Sequence, residues 1–169
     1  MSDGIEEALG RNRDFAARGG HEGAVVFPKL RLFVVTCIDP RTDPAHFLGL
    51  DLSDALVLRN AGGRVTPAVI EDVAFIAQLA EGAIGEGPLF EVAVVHHTQC
   101  GTGALVDDDF RRRYAERIGA DEAGLRERAV LDPAATVRHD VELLRAAPQV
   151  PDRVRVSGHV YDVVGGLVE

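Results

Sequence analysis

The chain has 169 residues, of which 46% are hydrophobic and 27% charged, and its formal net charge at pH 7 is −9. This composition is typical of a soluble globular protein, and we interpret residues 1–169 as one domain. The acidic balance argues against binding to nucleic acid, which requires clustered positive charge. The basic run RRR at residues 111–113 lies among acidic residues and is better interpreted as a solvated helix face.

The sequence also argues against a membrane partner. No apolar run approaches the roughly 20 residues that a membrane-spanning helix needs. Residues 1–18 mix acids with arginines and contain no apolar core of a secretion signal, so we expect a cytoplasmic protein. In a reducing compartment the two cysteines, Cys37 and Cys100, would not normally form a structural disulfide.

Strands and helices are predicted to alternate along the chain. Helical spacing of apolar residues begins at residue 5 and ends at a Gly-Gly pair, a helix stop. Short apolar runs rich in β-branched residues predict buried strands. The predicted helices are 5–18, 66–81, 107–118 and 134–146, and the predicted strands are 30–36, 55–58, 92–95 and 154–156. This alternation predicts an α/β fold, with a mostly parallel sheet of four to five strands flanked by helices.

Two of the predicted strands end in residues that bind metals. The first runs into Cys37, and the third runs into His97, with Cys100 shortly after. Ligands of an open α/β sheet bind where the carboxyl ends of parallel strands meet, so we expect these three side chains together. Two thiolates and an imidazole suit zinc, and three protein ligands leave a fourth position open, as in catalytic sites. From the residues alone, a thiol nucleophile or a pair of inert cysteines is an equally good explanation.

Asp39 and Arg41 follow Cys37 in a tight turn. Arginine can hold a carboxylate through two hydrogen bonds and keep it ionised. Such an aspartate could orient a zinc-bound hydroxide or, if released from Arg41, could itself occupy the open position. A turn-stabilising ion pair is the alternative, although the neighbouring candidate ligand favours a functional role. The segment RNAGG at residues 59–63 ends the second strand at the same edge, where its glycines allow a close approach to a ligand or simply form a turn.

The segments CIDPR, RNAGG, HHTQCG and SGHVYDVVGG, in this order, resemble a β-class carbonic anhydrase of the compact subgroup. The resemblance covers about residues 27–167. It implies zinc ligation by Cys37, His97 and Cys100, with Asp39 and Arg41 as the catalytic dyad. In this family the aspartate is also a fourth zinc ligand in a closed, inactive form. The implied reaction is the reversible hydration of carbon dioxide to bicarbonate by zinc-bound hydroxide, which Asp39 orients while Arg41 holds Asp39.

The same resemblance implies an N-terminal helical arm and a homodimer that can pair into a tetramer. The chain departs from the family at Gln99, where aspartate or alanine is common. Hydrolysis of carbonyl sulfide or carbon disulfide at the same zinc site is an alternative, because the hydroxide chemistry is shared. A non-catalytic zinc-binding or bicarbonate-sensing protein is a second alternative, against which the intact Asp39–Arg41 pair argues.

The remaining histidines are weaker candidates for chemistry. Strand alternation places His96 on the opposite face from His97, where a packed or hydrogen-bonded role is expected. His159 is expected to be structural, and His21, His46 and His139 are expected at the surface. None of them is singled out as a proton shuttle.

Overall fold

The structure, a computed structural model, describes residues 3–169. Its helices are α1 (Gly4–Ala17), α2 (Pro44–Phe47), α3 (Pro67–Ala83), α4 (Asp108–Ile118), α5 (Glu122–Glu127) and α6 (Pro133–Ala146). Its strands are β1 (Leu32–Cys37), β2 (Ala55–Asn60), β3 (Glu91–His97) and β4 (Arg155–Tyr161). Over the described range, four strands form one sheet in the order β2-β1-β3-β4, and each pair is parallel. The predicted α/β fold with a helix-flanked parallel sheet is confirmed.

The strands extend beyond the apolar runs that predicted them. β2 continues to Asn60 and β4 continues to Tyr161. In β4, His159 pairs with Val95 and Tyr161 pairs with His97. The hydrogen bonds of a β-ladder join backbone groups, so polar residues can continue a strand after its apolar stretch ends. The hydrophobic pattern therefore located each strand but missed its carboxyl end, which is where the candidate ligands Cys37 and His97 lie.

The main core lies on the face of the sheet that α3 and α6 cover. Its fully buried members include Val35, Val73, Val94 and Leu144. On the opposite face a smaller cluster surrounds Val34, Ala93 and Val95, and the Phe47 ring of α2 stacks on Tyr161 with centroids 4.5 Å apart. Successive side chains along a strand point to opposite faces of the sheet, and an apolar cluster covers each face. The strands therefore read as continuous hydrophobic runs.

Two of the predicted helix starts are confirmed by capping hydrogen bonds. The Thr66 hydroxyl accepts from the Val69 amide at 3.4 Å, and α3 begins at Pro67. Asp132 caps α6, which begins at Pro133. Proline is favoured at a first helical position because its φ angle suits the helix and its missing N–H would have no partner there.

The segment that joins β3 to β4 is mostly helical, as predicted. α4 and α5 pack around a small cluster of Leu105, Ala115 and Leu125. The buried Arg111 of α4 donates to the Leu105 carbonyl at 3.0 Å. α6 then packs against β3 and β4 and returns the chain to the sheet.

The N-terminal helix α1 stands apart from this core. It ends at Ala17, next to the predicted Gly-Gly stop, and each of its residues is exposed or half-buried. Ile5 and Leu9 are 64% and 49% exposed. Among residues 3–169, the helices are all too short or too polar to cross a membrane.

The turn after β2 packs closely against the end of β1. Gly62 and Gly63 have φ angles of 88° and 67°, in the left-handed region that glycine adopts most readily. A Cβ atom on Gly63 would lie 2.9 Å from both the Cys37 nitrogen and the Thr36 carbonyl carbon. The backbones of this turn and of β1 are therefore in contact, with no room between them for a side chain.

We predict that Gly63→Ala lowers the free energy of unfolding by about 3 kcal/mol, because alanine adds backbone strain and a clash with β1. Gly82→Ala is the matched control. Gly82 lies in α3 with open space around its Cβ position. Alanine there should stabilise the protein by about 0.5–1 kcal/mol. Urea unfolding followed by circular dichroism measures both, and similar values for the two variants would contradict the described packing.

Candidate metal centre

The neighbouring strands β1 and β3 bring the three candidate ligands together. Cys37 is the last residue of β1, His97 is the last residue of β3, and Cys100 follows in the next turn. Their ligand atoms all lie within 4.8 Å of one another, and the two sulfur atoms are 3.9 Å apart. All three side chains are buried. The expectation that these residues meet at one edge of the sheet is confirmed.

The imidazole of His97 is poised to bind a cation. Its Nδ1 lies 2.9 Å from the Thr98 carbonyl oxygen, which can only accept a hydrogen bond, so Nδ1 carries the hydrogen. Nε2 then presents a lone pair, and among the described residues it is the buried side-chain atom that lacks a hydrogen-bond partner. Burying such an atom is unfavourable unless something binds it. One imidazole and two thiols around this position fit zinc.

The two thiols have different surroundings. The backbone amides of Gly62 and Asp39 point at the Cys37 sulfur from 3.3 and 3.5 Å, and the Thr102 hydroxyl lies 3.1 Å from the Cys100 sulfur. The hydrogen bond with Cys37, followed by those with Thr102, lowers the pKa of Cys100 to about 6. The hydrogen bond with Cys100 and burial raise the pKa of Cys37 to about 11. Without a metal the pair thus shares one proton near neutral pH.

Asp39 and Arg41 form a two-pronged ion pair beside the thiols. The Arg41 side chain donates from Nε to Asp39 Oδ1 at 2.9 Å and from Nη2 to Oδ2 at 2.7 Å. The Arg41 backbone amide also donates to Oδ1 at 2.9 Å. These hydrogen bonds hold the pKa of Asp39 well below its usual range. Arg41 Nη2 lies 3.1 Å from the Gln99 carbonyl oxygen as well, so the pair is joined to the turn that carries Cys100.

Residues 32–168 match the family model described as carbonic anhydrase. β-Carbonic anhydrase 1 of Mycobacterium tuberculosis is 31% identical over 162 residues, which cover 95% of this chain and 93% of that protein. The chain belongs to the β-carbonic anhydrase family. The resemblance of the motifs to this family is thereby confirmed.

Two further similarities bear on the site. The crystal structure of a carbonic anhydrase from Streptococcus mutans is 32% identical, with a TM-score of 0.80, and the alignment covers 100% of this chain and 98% of that one. A carbon disulfide hydrolase from an Acidianus species is 29% identical over 186 residues, covering 96% of this chain and 86% of that protein. Both kinds of enzyme therefore align with nearly the whole of this chain.

Arg59 holds the backbone of the loop that carries Asp39 through hydrogen bonds. The sequence did not reveal these contacts. Its Nε donates to the Cys37 carbonyl at 2.9 Å and its Nη2 donates to the Asp39 carbonyl at 2.7 Å. The hydroxyl of the buried Thr42 lies 2.9 Å from the same two carbonyl oxygens. An arginine at the end of the neighbouring strand, at the same sheet edge, was the signal that could have identified these contacts. Asp39 is thus held at both its side chain and its backbone.

A buried ion pair joins the turn after β2 to α6. Arg64 donates from Nε and Nη2 to the two oxygens of Asp140, each at 2.8 Å. Burial opposes ionisation of Asp140, but hydrogen bonds from Arg64, His96 and the Val65 amide prevail and lower its pKa to about 2. His96 is fully buried, with Nδ1 2.8 Å from the Thr136 hydroxyl, so its predicted packed and hydrogen-bonded role is confirmed.

The other histidines lie where they were expected. His159 is half-buried in β4, and its Nε2 lies 3.1 Å from the Ser157 hydroxyl. His21, His46 and His139 are exposed. Each is thus accounted for by local structure or by exposure to solvent.

A cavity of about 280 Å³ opens beside Cys37 and Asp39. Its walls are mostly apolar and come from the turn after β2 and from the segment around α4. They include Ala61, Leu105 and Phe110. A small apolar molecule can therefore approach the Cys37 thiol and the aspartate from this side.

We predict that the metal-free protein forms its first thiolate near pH 6 and retains the second thiol proton to about pH 11. Cys37→Ala removes the hydrogen bond that contributes most to lowering the pKa of Cys100, so the single remaining thiol should titrate above pH 6. Ultraviolet absorbance of the thiolate during a pH titration follows both proteins. An unchanged Cys100 pKa in the variant would contradict the coupling of the two thiols.

Proposed function

We propose that this chain catalyses the reversible hydration of carbon dioxide to bicarbonate at a zinc ion bound by Cys37, His97 and Cys100. The observation that carries the proposal is the buried, unpartnered Nε2 of His97 beside two thiols and an ionised Asp39. Membership of the β-carbonic anhydrase family and the similarity to enzymes named carbonic anhydrase support it. The substrate partner is a small molecule, carbon dioxide or bicarbonate.

A zinc ion with three protein ligands lowers the pKa of a coordinated water to about 7 and so supplies hydroxide near neutral pH. The role we propose for Asp39 is to orient this nucleophile. Oδ1 of Asp39 already receives two donors from Arg41, whereas Oδ2 receives one and retains a lone pair. Because Arg41 keeps Asp39 ionised, Oδ2 can only accept a hydrogen bond. A nucleophile held beside Asp39 would therefore direct its proton to Oδ2, which would leave an oxygen lone pair for the substrate.

Arg41 is proposed to control whether the site is open. In this structure the guanidinium holds both carboxylate oxygens of Asp39. Loss of that pairing would free the carboxylate to become the fourth zinc ligand, which would exclude water. The contact of Arg41 with the Gln99 carbonyl adds a restraint that favours the open arrangement.

We predict that Asp39→Asn lowers kcat for carbon dioxide hydration by about 100-fold or more, because asparagine can turn its N–H₂ toward the nucleophile. Zinc content should stay at the wild-type level, since Asp39 is not one of the three proposed ligands. Asp72→Asn makes the same chemical change at an exposed site on α3 and serves as the control. Stopped-flow hydration kinetics on metal-assayed protein measure the effect, and equal rates for the two variants would contradict the role of Asp39.

Hydrolysis of carbon disulfide or carbonyl sulfide is the second candidate function. It is favoured by the 29% identity to the Acidianus enzyme, which is named for hydrolysis of carbon disulfide. The proposed hydroxide and Asp39 would act in the same way on each linear substrate.

The test of this alternative compares kcat/KM on carbon dioxide, carbonyl sulfide and carbon disulfide with one enzyme preparation. We expect the highest value on carbon dioxide. A higher value on either sulfur compound would transfer the assignment to hydrolysis, and zinc-loaded protein inactive on all three would favour the non-catalytic alternative.

We also propose that the chain forms a homodimer, which can pair further into a tetramer. The exposed apolar residues on α1 support this proposal, because a surface helix normally buries its apolar side against another element. The exposed Phe75 and Leu79 of α3, at 62% and 50%, add to the uncovered apolar surface.

Light scattering during size-exclusion chromatography should give at least twice the 18.1 kDa chain mass. The double variant Ile5→Gln/Leu9→Gln should shift the mass toward the monomer. Arg11→Gln is the control on α1, because it changes only a surface ion pair with Glu7, which contributes little. A monomeric wild type, or equal effects of the two changes, would contradict assembly through α1.

A further inference from the structure

We propose that Asp140 of α6 is a positioning residue for the metal centre, because it holds the turn of residues 61–65 with the Gly62 amide on the Cys37 sulfur. The inference rests on the proposed zinc site. It assigns a function to a carboxylate that is neither a candidate ligand nor part of the cavity beside Asp39.

Asp140 is built into the turn by its hydrogen bonds. Its side chain is 0% exposed and accepts from Arg64 Nε, Arg64 Nη2 and the Val65 amide, each at 2.8 Å. Arg64 also donates from Nη1 to the Glu127 carbonyl at 2.6 Å. A buried carboxylate that receives three donors from two consecutive residues fixes both the backbone and the side chain of that segment.

The turn transmits this restraint to the Cys37 sulfur. The Asn60 side chain donates to the Arg64 carbonyl and accepts from the Arg64 amide, both at 2.8 Å, which closes residues 60–64 into a loop. Within that loop Gly63 packs against the end of β1, and the Gly62 amide donates to Cys37 Sγ at 3.3 Å. A shift of Arg64 would therefore move the amide that faces the sulfur.

The same carboxylate also reaches the strand that carries His97. His96 Nε2 lies 3.3 Å from Asp140 Oδ2 and 3.2 Å from the Gly63 carbonyl oxygen. Thr136, one turn earlier on α6, lies 2.8 Å from the other ring nitrogen of His96. One helix thus holds the turn beneath Cys37 and the end of β3 in a common arrangement.

The chemical consequence concerns the charge on the Cys37 sulfur. An N–H that donates to a thiolate offsets part of its charge in the buried site, so loss of that donor alters the sulfur-to-metal bond. It also fixes the direction of the sulfur, which slows loss of the ion. Removing a partner that orients a ligand typically costs 10- to 100-fold in metal affinity.

The test is Asp140→Asn, which keeps the side-chain shape and removes the charge that holds Arg64. Leu144→Ala is the matched control, because Leu144 is also fully buried on α6 but lies in the apolar core. Zinc release to an excess of chelator should be about 10-fold faster in Asp140→Asn than in wild type, and close to wild type in the control. The sulfur-to-metal charge-transfer band of the cobalt-substituted protein should shift in Asp140→Asn alone.

A second variant separates positioning from stability. Arg64→Met/Asp140→Leu replaces the buried pair by apolar side chains, which often preserves stability. We expect its unfolding midpoint to approach that of wild type while zinc release stays fast and the cobalt band stays shifted. Wild-type release and spectrum in this double variant, or equal changes in Asp140→Asn and Leu144→Ala, would overturn the proposal.

Wild-type measurements distinguish failure of this inference from failure of the proposed function. Wild type that binds zinc but does not hydrate carbon dioxide would refute the function and leave the positioning test valid. An active wild type with unchanged metal release in Asp140→Asn would refute the positioning alone. A wild type that binds no zinc would refute both.

Discussion

Parallel pairing of β1 with β3 is the constraint on which the site depends. The two strands run in register from Leu32 opposite Glu91 to Thr36 opposite Val95, so both end at the same edge of the sheet. Cys37 and His97 therefore meet although 60 residues separate them in the sequence. The remaining parts of the site come from the turns after β1, β2 and β3, whose backbone amides and carbonyls complete it. The region that matches the carbonic anhydrase family model, residues 32–168, contains all four strands and the three candidate ligands.

Nearby positive charges and N–H donors offset the negative charge that the thiolates and Asp39 would place in a buried site. Two thiolates next to an ionised carboxylate would repel one another, and burial would add to the cost. Arg41 compensates Asp39 directly, two backbone amides point at the Cys37 sulfur, and the proposed zinc ion would compensate both sulfurs. The ion pair of Arg64 with Asp140 lies beneath the turn that supplies one of these amides. The backbone of the turn thus links the buried Arg64–Asp140 ion pair to the Cys37 sulfur.

Much of this arrangement could be predicted from the sequence. Apolar runs located the strands, and the rule that parallel strands end at one edge placed Cys37 and His97 together. α2 and α5 were missed because so few residues show no helical period. Asp140 was missed because no such rule links a helix side chain to a turn 76 positions earlier in the chain. Asp140 lies among the buried residues of α6, between Val137 and Leu144, and a carboxylate at such a position could have indicated a buried ion pair.

The proposed function requires a zinc ion held by two sulfurs and one imidazole, with one position left for an oxygen ligand. Zinc-edge X-ray absorption of the purified protein tests it most directly. We expect one zinc per chain, with two sulfur neighbours at about 2.3 Å and two nitrogen or oxygen neighbours at about 2.0 Å. Protein without zinc, or zinc with fewer than two sulfur neighbours, would contradict the assignment of Cys37, His97 and Cys100 as its ligands.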